Sequence, residues 1–223
     1  MVTSPSGYGG DGVDLLYGGD GWNTLHGGRG NDQLPDEGSR SFLYGDGADD
    51  TLTGWYGRDS LYGGSGRDQL HGFWGRNTLQ GDAGADILEG FAAQDTLEGG
   101  KGADQHFGGS GQGRVSGGAG NHEFVFEKPG PSGDIISDIS NAKGDNDRIV
   151  IEAAGFGAGL VASERLSGAK FQAGDGHEPA NSDVLFIFDT SDSSLWFNMD
   201  GQFKLIADLQ YGAETTQHDN RLI

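Results

Sequence analysis

The chain has 223 residues, enough for one or two domains, yet Leu, Ile, Val and Phe together supply only 46 of them and the formal net charge is −20. So small an apolar fraction with so large a charge borders on disorder, and something besides apolar burial has to hold a fold together. The 44 glycines exclude a long-helix protein, the missing three-residue glycine period excludes collagen, and the absence of Cys excludes disulfides and thiolate sites; the acidic balance favours cations as partners over nucleic acid or anionic lipid.

Residues 1–8 read as a short N-terminal extension, with neither the basic nor the apolar region of a Sec signal, and no stretch of the sequence is apolar for long enough to span a membrane as a helix. From Gly9 to Val125 the chain divides without a gap into thirteen nonapeptides, beginning GGDGVDLLY, GGDGWNTLH and GGRGNDQLP. Position one is Gly in every repeat but the fourth, where it is Asp36, and position eight is Leu ten times running, from Leu16 to Leu97, then His106, Val115 and Phe124. Six residues rich in Gly and Asp read as a turn with positive-φ positions, and three residues of type x-apolar-x read as a short strand with position eight alone facing inward. One such strand cannot bury its Leu by itself. Successive repeats must therefore take alternate sides of a sandwich, two per coil, so that repeat n stacks on repeat n+2. The expected fold over residues 9–125 is an all-β parallel solenoid of thirteen repeats.

Stacking two apart gives the roll an odd and an even edge. Along the odd edge position six reads Asp14, Asp32, Asp50, Asp68, Asp86, Asp104 and then His122; along the even edge it reads Asn23, Ser41, Asp59, Asn77, Asp95 and Gly113. Carboxylates aligned at one coil spacing repel one another, and such a column persists in a compact chain only if cations sit between its members. The odd edge thus offers five two-carboxylate sites and a sixth, ending on His122, that is half complete. The even edge has no adjacent Asp pair, and at most two or three weaker sites are expected around Asp59, Asn77 and Asp95. Asp11, Asp20 and Asp49 read as solvated surface charges. Even-edge turns carry Trp55, Phe73 and Phe91 at position two, Tyr56 and Trp74 at position three, and Arg40, Arg58 and Arg76 at position five. These ladders have two readings: stacked rings and guanidinium groups as the glue of an edge that lacks cations, or a platform for an acidic polysaccharide.

After Val125 the period stops and ordinary β patterning follows, with strands expected over 124–127, 134–140, 148–152, 183–189, 195–200 and 204–209, the last three as a meander.

The nonapeptide pattern resembles GGxGxDxUx, the calcium-binding repeat of the repeats-in-toxin (RTX) family, over residues 9–125. That resemblance implies a right-handed parallel β-roll followed by a C-terminal β-strand cap over residues 126–223, with Ca2+ ions between stacked turns. Each ion takes the carbonyls of positions two and four and the Asp of one turn, and the carbonyls of positions one and three and the Asp of the next. The first implied site is then Gly10, Gly12 and Asp14 with Gly27, Arg29 and Asp32, and the second is Gly28, Gly30 and Asp32 with Gly45, Gly47 and Asp50. The third is Asp46, Ala48 and Asp50 with Gly63, Ser65 and Asp68; the fourth is Gly64, Gly66 and Asp68 with Gly81, Ala83 and Asp86. The fifth is Asp82, Gly84 and Asp86 with Gly99, Lys101 and Asp104. The stretches FVFEKPGPSGDIISDISNAKGDNDRIVI and VLFIFDTSDSSLWFNMDG look like the C-terminal cap of RTX proteins exported by type I secretion, which implies the secretion apparatus as a partner and an extracellular location. The final HDNRLI matches the family's export end in part: Asn220 and Arg221 separate Asp219 from the apolar terminus.

No catalytic pattern emerges. None of the six His has HExxH spacing, and no G-x-S-x-G elbow occurs. His26 and His71, at position nine, read as plain surface residues. The expected function is calcium binding that couples folding to extracellular calcium, without enzymatic activity. The alternatives are a carbohydrate-binding module similar to the roll modules of alginate epimerases, or the non-catalytic part of a secreted hydrolase.

Overall fold

The computed structural model describes residues 6–128, 133–139, 141–142, 145–151, 171–174, 186–189, 194–199 and 202–209. The nonapeptide region folds as two facing parallel sheets. One takes β1 (Ser6–Asp11), β2 (Thr24–Arg29), β4 (Phe42–Gly47), β6 (Ser60–Gly66), β8 (Thr78–Gly84), β10 (Thr96–Gly102) and β12 (Arg114–Gly120) in that order. The other takes β3 (Gln33–Pro35), β5 (Thr51–Thr53), β7 (Gln69–His71), β9 (Ile87–Glu89), β11 (Gln105–Phe107) and β13 (Glu123–Phe126). Register partners are two repeats apart throughout: Leu25, Leu43, Leu61, Leu79, Leu97 and Val115 in the first sheet, and Leu34, Leu52, Leu70, Leu88, His106 and Phe124 in the second. The result is an all-β parallel solenoid of about seven turns.

The leucine columns meet in a single core. Leu25 to Leu97 are wholly buried, and Leu16, Val115, Phe124, Ile136, Ile151 and Leu195 join them. Burying one such side chain contributes about 1.5–3 kcal/mol, and each does so only because its neighbours above and below supply the apolar surface.

The strands of the first sheet are longer than the three residues expected. From β6 to β12 they run from position seven of an even repeat through position four of the next odd repeat, so the odd turns are themselves part of the ladder. Positive φ at positions two and four, as at Gly64 (105°) and Gly66 (140°), lets the backbone curl while pairing continues. Even turns pair only through isolated bridges, Tyr56 with Trp74, Trp74 with Ala92 and Ala92 with Ser110.

Both sheets continue past the last repeat. β14 (Asp134–Ile136) pairs in parallel with β12, and β17 (Arg148–Ile151) with β13; a short antiparallel pair, β15 (Asn141–Ala142) and β16 (Asp145–Asn146), lies between them in sequence. The first sheet then proceeds from β14 to β21 (Gln202–Leu209), β20 (Ser194–Met199), β19 (Phe186–Asp189) and β18 (Phe171–Gly174), with β19, β20 and β21 antiparallel in succession. The expected export end, residues 218–223, lies outside the described residues. Among the described residues no helix is long and apolar enough to cross a membrane.

Candidate metal centre

Position eight does not face inward alone; position six does so equally. Asp32, Asp50, Asp68, Asp86 and Asp104 are as buried as the leucines. Each is held by one hydrogen bond from the coil before it: the N–H of Asp14 donates to Asp32 Oδ1 (2.8 Å), Asp32 to Asp50 (2.7 Å), Asp50 to Asp68 (2.8 Å), Asp68 to Asp86 (2.9 Å) and Asp86 to Asp104 (2.9 Å). The ladder uses one carboxylate oxygen. Oδ2 of Asp14, Asp32, Asp50, Asp68 and Asp86 is buried without a hydrogen-bond partner, and buried Oδ2 of Asp104 faces His122 Nδ1 at 3.2 Å.

Those oxygens share their surroundings with backbone carbonyls. A Cβ placed on Gly45 would fall 2.4 Å from Asp50 Oδ2 and 2.5 Å from the Gly63 carbonyl; one on Gly81 would fall 2.6 Å from both Asp86 Oδ2 and the Gly99 carbonyl. The same pairing recurs at Gly9, between Asp14 and Gly27, and at Gly27, between Asp32 and Gly45. Glycine at position one is therefore a requirement of space. The remaining residues of the implied ligand sets stand in columns: Gly10, Gly28, Asp46, Gly64 and Asp82 at position two, and Arg29, Gly47, Ser65, Ala83 and Lys101 at position three. At position four Gly12 lies against Gly30, Ala48 against Gly66, and Gly66 against Gly84. Asp46, Ala48 and Asp82 hold φ of 72°, 78° and 69°, in the left-handed region that favours glycine.

Burial, with the neighbouring carboxylates adding to it, pushes Asp50 and Asp86 up to about 7, Asp68 to about 6, and Asp32 above its usual range. Hard anionic and carbonyl oxygens that converge in a buried space without a donor fit an oxygen-seeking divalent cation such as Ca2+.

The even edge is built differently at its two ends. Near its start Asp36, the one residue that breaks the position-one glycine column, turns its carboxylate inward. It accepts from Asn23 Nδ2 (2.7 Å), Ser41 Oγ (2.7 Å) and the Gly38 N–H (3.0 Å). Asn23 Nδ2 also donates to the Gly19 carbonyl (3.1 Å), and Asn77 Nδ2 to the Gly75 carbonyl (3.3 Å). An amide donor thus faces the carbonyls of positions two and four, where the odd edge directs a bare carboxylate oxygen. Asp59 and Asp95 are the exceptions: each keeps a buried Oδ2 without a partner, and burial pushes both up to about 7.

The aromatic ladders are real stacks. Trp55, Phe73 and Phe91 succeed one another at centroid distances of 4.6 and 4.3 Å, and Tyr56 lies on Trp74 at 4.8 Å, with both of the latter rings about half exposed. Trp55, Phe73 and Phe91 hold φ of 55°, 63° and 67°, a strained choice for bulky residues that the ring contacts offset. Arg40, Arg58 and Arg76 are exposed; Arg40 lies over Trp22 at 5.5 Å, and Arg76 donates to Gln94. His26 and His71 are not plain surface groups: His26 stacks on Tyr44 and reaches Asp46 (3.2 Å), and His71 reaches Glu89 (2.9 Å).

Two ladder residues lie beyond the period and were missed by it. Asp134 accepts from the Gly113 N–H (2.9 Å) and continues the even edge, while Asp147 accepts from the His122 N–H (2.8 Å) and continues the odd edge. The signal was the tripeptide, DII at 134–136 and DRI at 147–149, which repeats the Asp-x-apolar core of the nonapeptide without its spacing.

A family model described as RTX calcium-binding nonapeptide repeat, in four copies, matches residues 7–34, 40–70 and 71–105. No curated protein and no solved structure matches the chain.

Proposed function

The repeats of this chain belong to the RTX calcium-binding nonapeptide family, and from that premise we propose that calcium binding along the odd edge is what folds the solenoid, in a protein secreted into a calcium-rich medium. The observation that carries this reading is the column of six aspartates, each with a buried carboxylate oxygen, which from Asp14 to Asp86 no protein group satisfies. The residues that hold the ions are Asp14, Asp32, Asp50, Asp68, Asp86 and Asp104 with the carbonyls between them, and Ca2+ supplies the positive charge that cancels their repulsion. Without it the chain must bury anions or protonate them, both costly near neutral pH. Extracellular calcium modules bind in the submillimolar range, so such a chain stays open in a low-calcium compartment, a state suited to passage through the type I apparatus, and closes outside. On this reading the chain is a binding and folding module and not an enzyme. A calcium titration of the full chain, followed by far-ultraviolet circular dichroism and calorimetry, tests it. A cooperative gain of β signal with several ions bound supports it, and an unchanged spectrum refutes it.

A second reading rests on Tyr56 and Trp74, whose stacked rings remain exposed on turns that also carry Arg58 and Arg76, with exposed Arg40 on the preceding even turn. Aromatic faces and a positive stripe together suit an acidic polysaccharide such as alginate. Retardation in an alginate affinity gel that weakens with salt would support it.

A further inference from the structure

Between Asp104 and Asp147 the odd ladder changes chemistry. His106 occupies position eight, which holds leucine in the ten preceding repeats, and His122 occupies position six, where the six preceding odd repeats have Asp. Both imidazoles are buried to within 1% exposure. Neither ring nitrogen of His106 has a hydrogen-bond partner, nor has His122 Nε2. His122 Nδ1 lies 3.4 Å from the Asp104 N–H and 3.2 Å from Asp104 Oδ2; a ring nitrogen can accept from the first or donate to the second, so one of the two goes unmet. One donor atom from each of Asp104, His106 and His122 lies within 4.8 Å of the other two.

We propose that Asp104, His106 and His122 bind a divalent transition-metal ion of borderline softness, such as Zn2+, at the end of the calcium ladder. Two imidazole nitrogens and one carboxylate are poor ligands for Ca2+, which takes oxygens, and suitable ones for Zn2+, Co2+, Ni2+ or Cu2+. Tetrahedral ligands at about 2.0–2.2 Å from Zn2+ stand roughly 3.3–3.5 Å apart, which the Asp104–His122 pair already approaches. The third donor has only to close in from within 4.8 Å. Gly99 keeps the space open: a Cβ there would fall 2.5 Å from Asp104 Oδ2, 2.7 Å from the Gly117 carbonyl and 2.9 Å from His106 Cε1. The carbonyl borders the same volume and is a candidate fourth ligand. Such an ion would tie β11 to β13 where the column of paired aspartates runs out, at the boundary between the repeats and the strands that follow. The site shares Asp104 with the fifth implied calcium site, while its two imidazoles belong to none.

The test uses the full chain with calcium in excess and titrates Co2+, then Zn2+ in competition, reading the ligand-field absorption of cobalt and counting bound calcium separately. The wild type should take one tight Co2+ per chain, displaced by Zn2+. His106→Leu, which restores the leucine column, and His122→Asp, which restores the position-six carboxylate, should each weaken binding by about tenfold or more. His122→Asp should also gain a calcium ion. His26→Asn with His71→Asn should change nothing. Absence of a tight Co2+ site in the wild type overturns the proposal whether or not the variants fold. So does equal Co2+ affinity in wild type and folded His106→Leu, which would leave His106 as a ring packed on Phe124, as its 5.2 Å stack also allows.

Discussion

The two edges of the solenoid share one backbone spacing and one hydrogen-bond ladder, yet they settle their buried polar groups in opposite ways. On the odd edge every rung from Asp14 to Asp86 leaves a carboxylate oxygen bare, and only something outside the chain can satisfy it. On the even edge the chain supplies its own partners where it can: Asp36 answers Asn23 and Ser41, and Asn77 turns its amide to the Gly75 carbonyl. Aromatic stacks add contacts that require no ion. A repeat fold can thus leave carboxylates open along one edge and answer several of them from within on the other, by exchanging single residues at positions one, two and six.

The largest expected effect that would break this contrast is removal of calcium. At a hundred times its dissociation constant each site contributes about 2.7 kcal/mol, so five sites supply on the order of 13 kcal/mol, comparable to a whole domain's stability. Excess chelator should abolish most of the β signal of the full chain; a native spectrum in chelator would show that the odd edge needs no cation. Next in size is Asp68→Ala, which damages the two sites that share this residue and should lose about two bound ions by calorimetry. Asn77→Ala should lose one at most, and equal losses would erase the distinction between edges. Asp36→Ala sharpens it from the other side. It removes one hydrogen bond each from Asn23 Nδ2, Ser41 Oγ and the Gly38 N–H, so it should cost about 2–4 kcal/mol in chemical denaturation at saturating calcium, with the ion count unchanged.

Acidity provides a gentler probe. Asp50, Asp59, Asp86 and Asp95 are pushed up to about 7 in the folded, metal-free chain but titrate near 3.8 when unfolded. Between those values folding takes up protons, so these four groups favour the metal-free fold most below about pH 4, a contribution that is lost as pH rises through about 7. In chelator, lowering the pH from 7.5 towards 5 should therefore recover β signal, while calcium affinity falls because binding must displace protons. Loss of β signal on the same acidification would show that these carboxylates have partners. The smallest effect is expected from Arg58→Glu with Arg76→Glu: bound calcium stays constant, and any alginate retardation of the wild type disappears.

Much of this was legible in the residue string because, in a stacked repeat, sequence period and spatial neighbour are the same fact. Leu16 to Leu97 at nine-residue spacing dictated alternate sheets, a parallel register of eighteen and a single apolar core, and the Asp14-to-Asp104 column followed in the same register. What tertiary structure decided lies where a side chain's direction, rather than its place in the period, sets its role. Asp36 reads as a broken glycine position until its carboxylate is seen turned into the edge. Asp134 and Asp147 rejoin the ladders after insertions that destroy the spacing, because parallel pairing with β12 and β13 fixes their rungs whatever the length of chain between. His106 reads as a lapse in the leucine column until its ring is found buried beside Asp104 and His122. Periodicity specifies which backbones stack, since every coil repeats the same geometry; it cannot specify where the exceptions point, since that depends on the unmet donors and acceptors of the coils on either side.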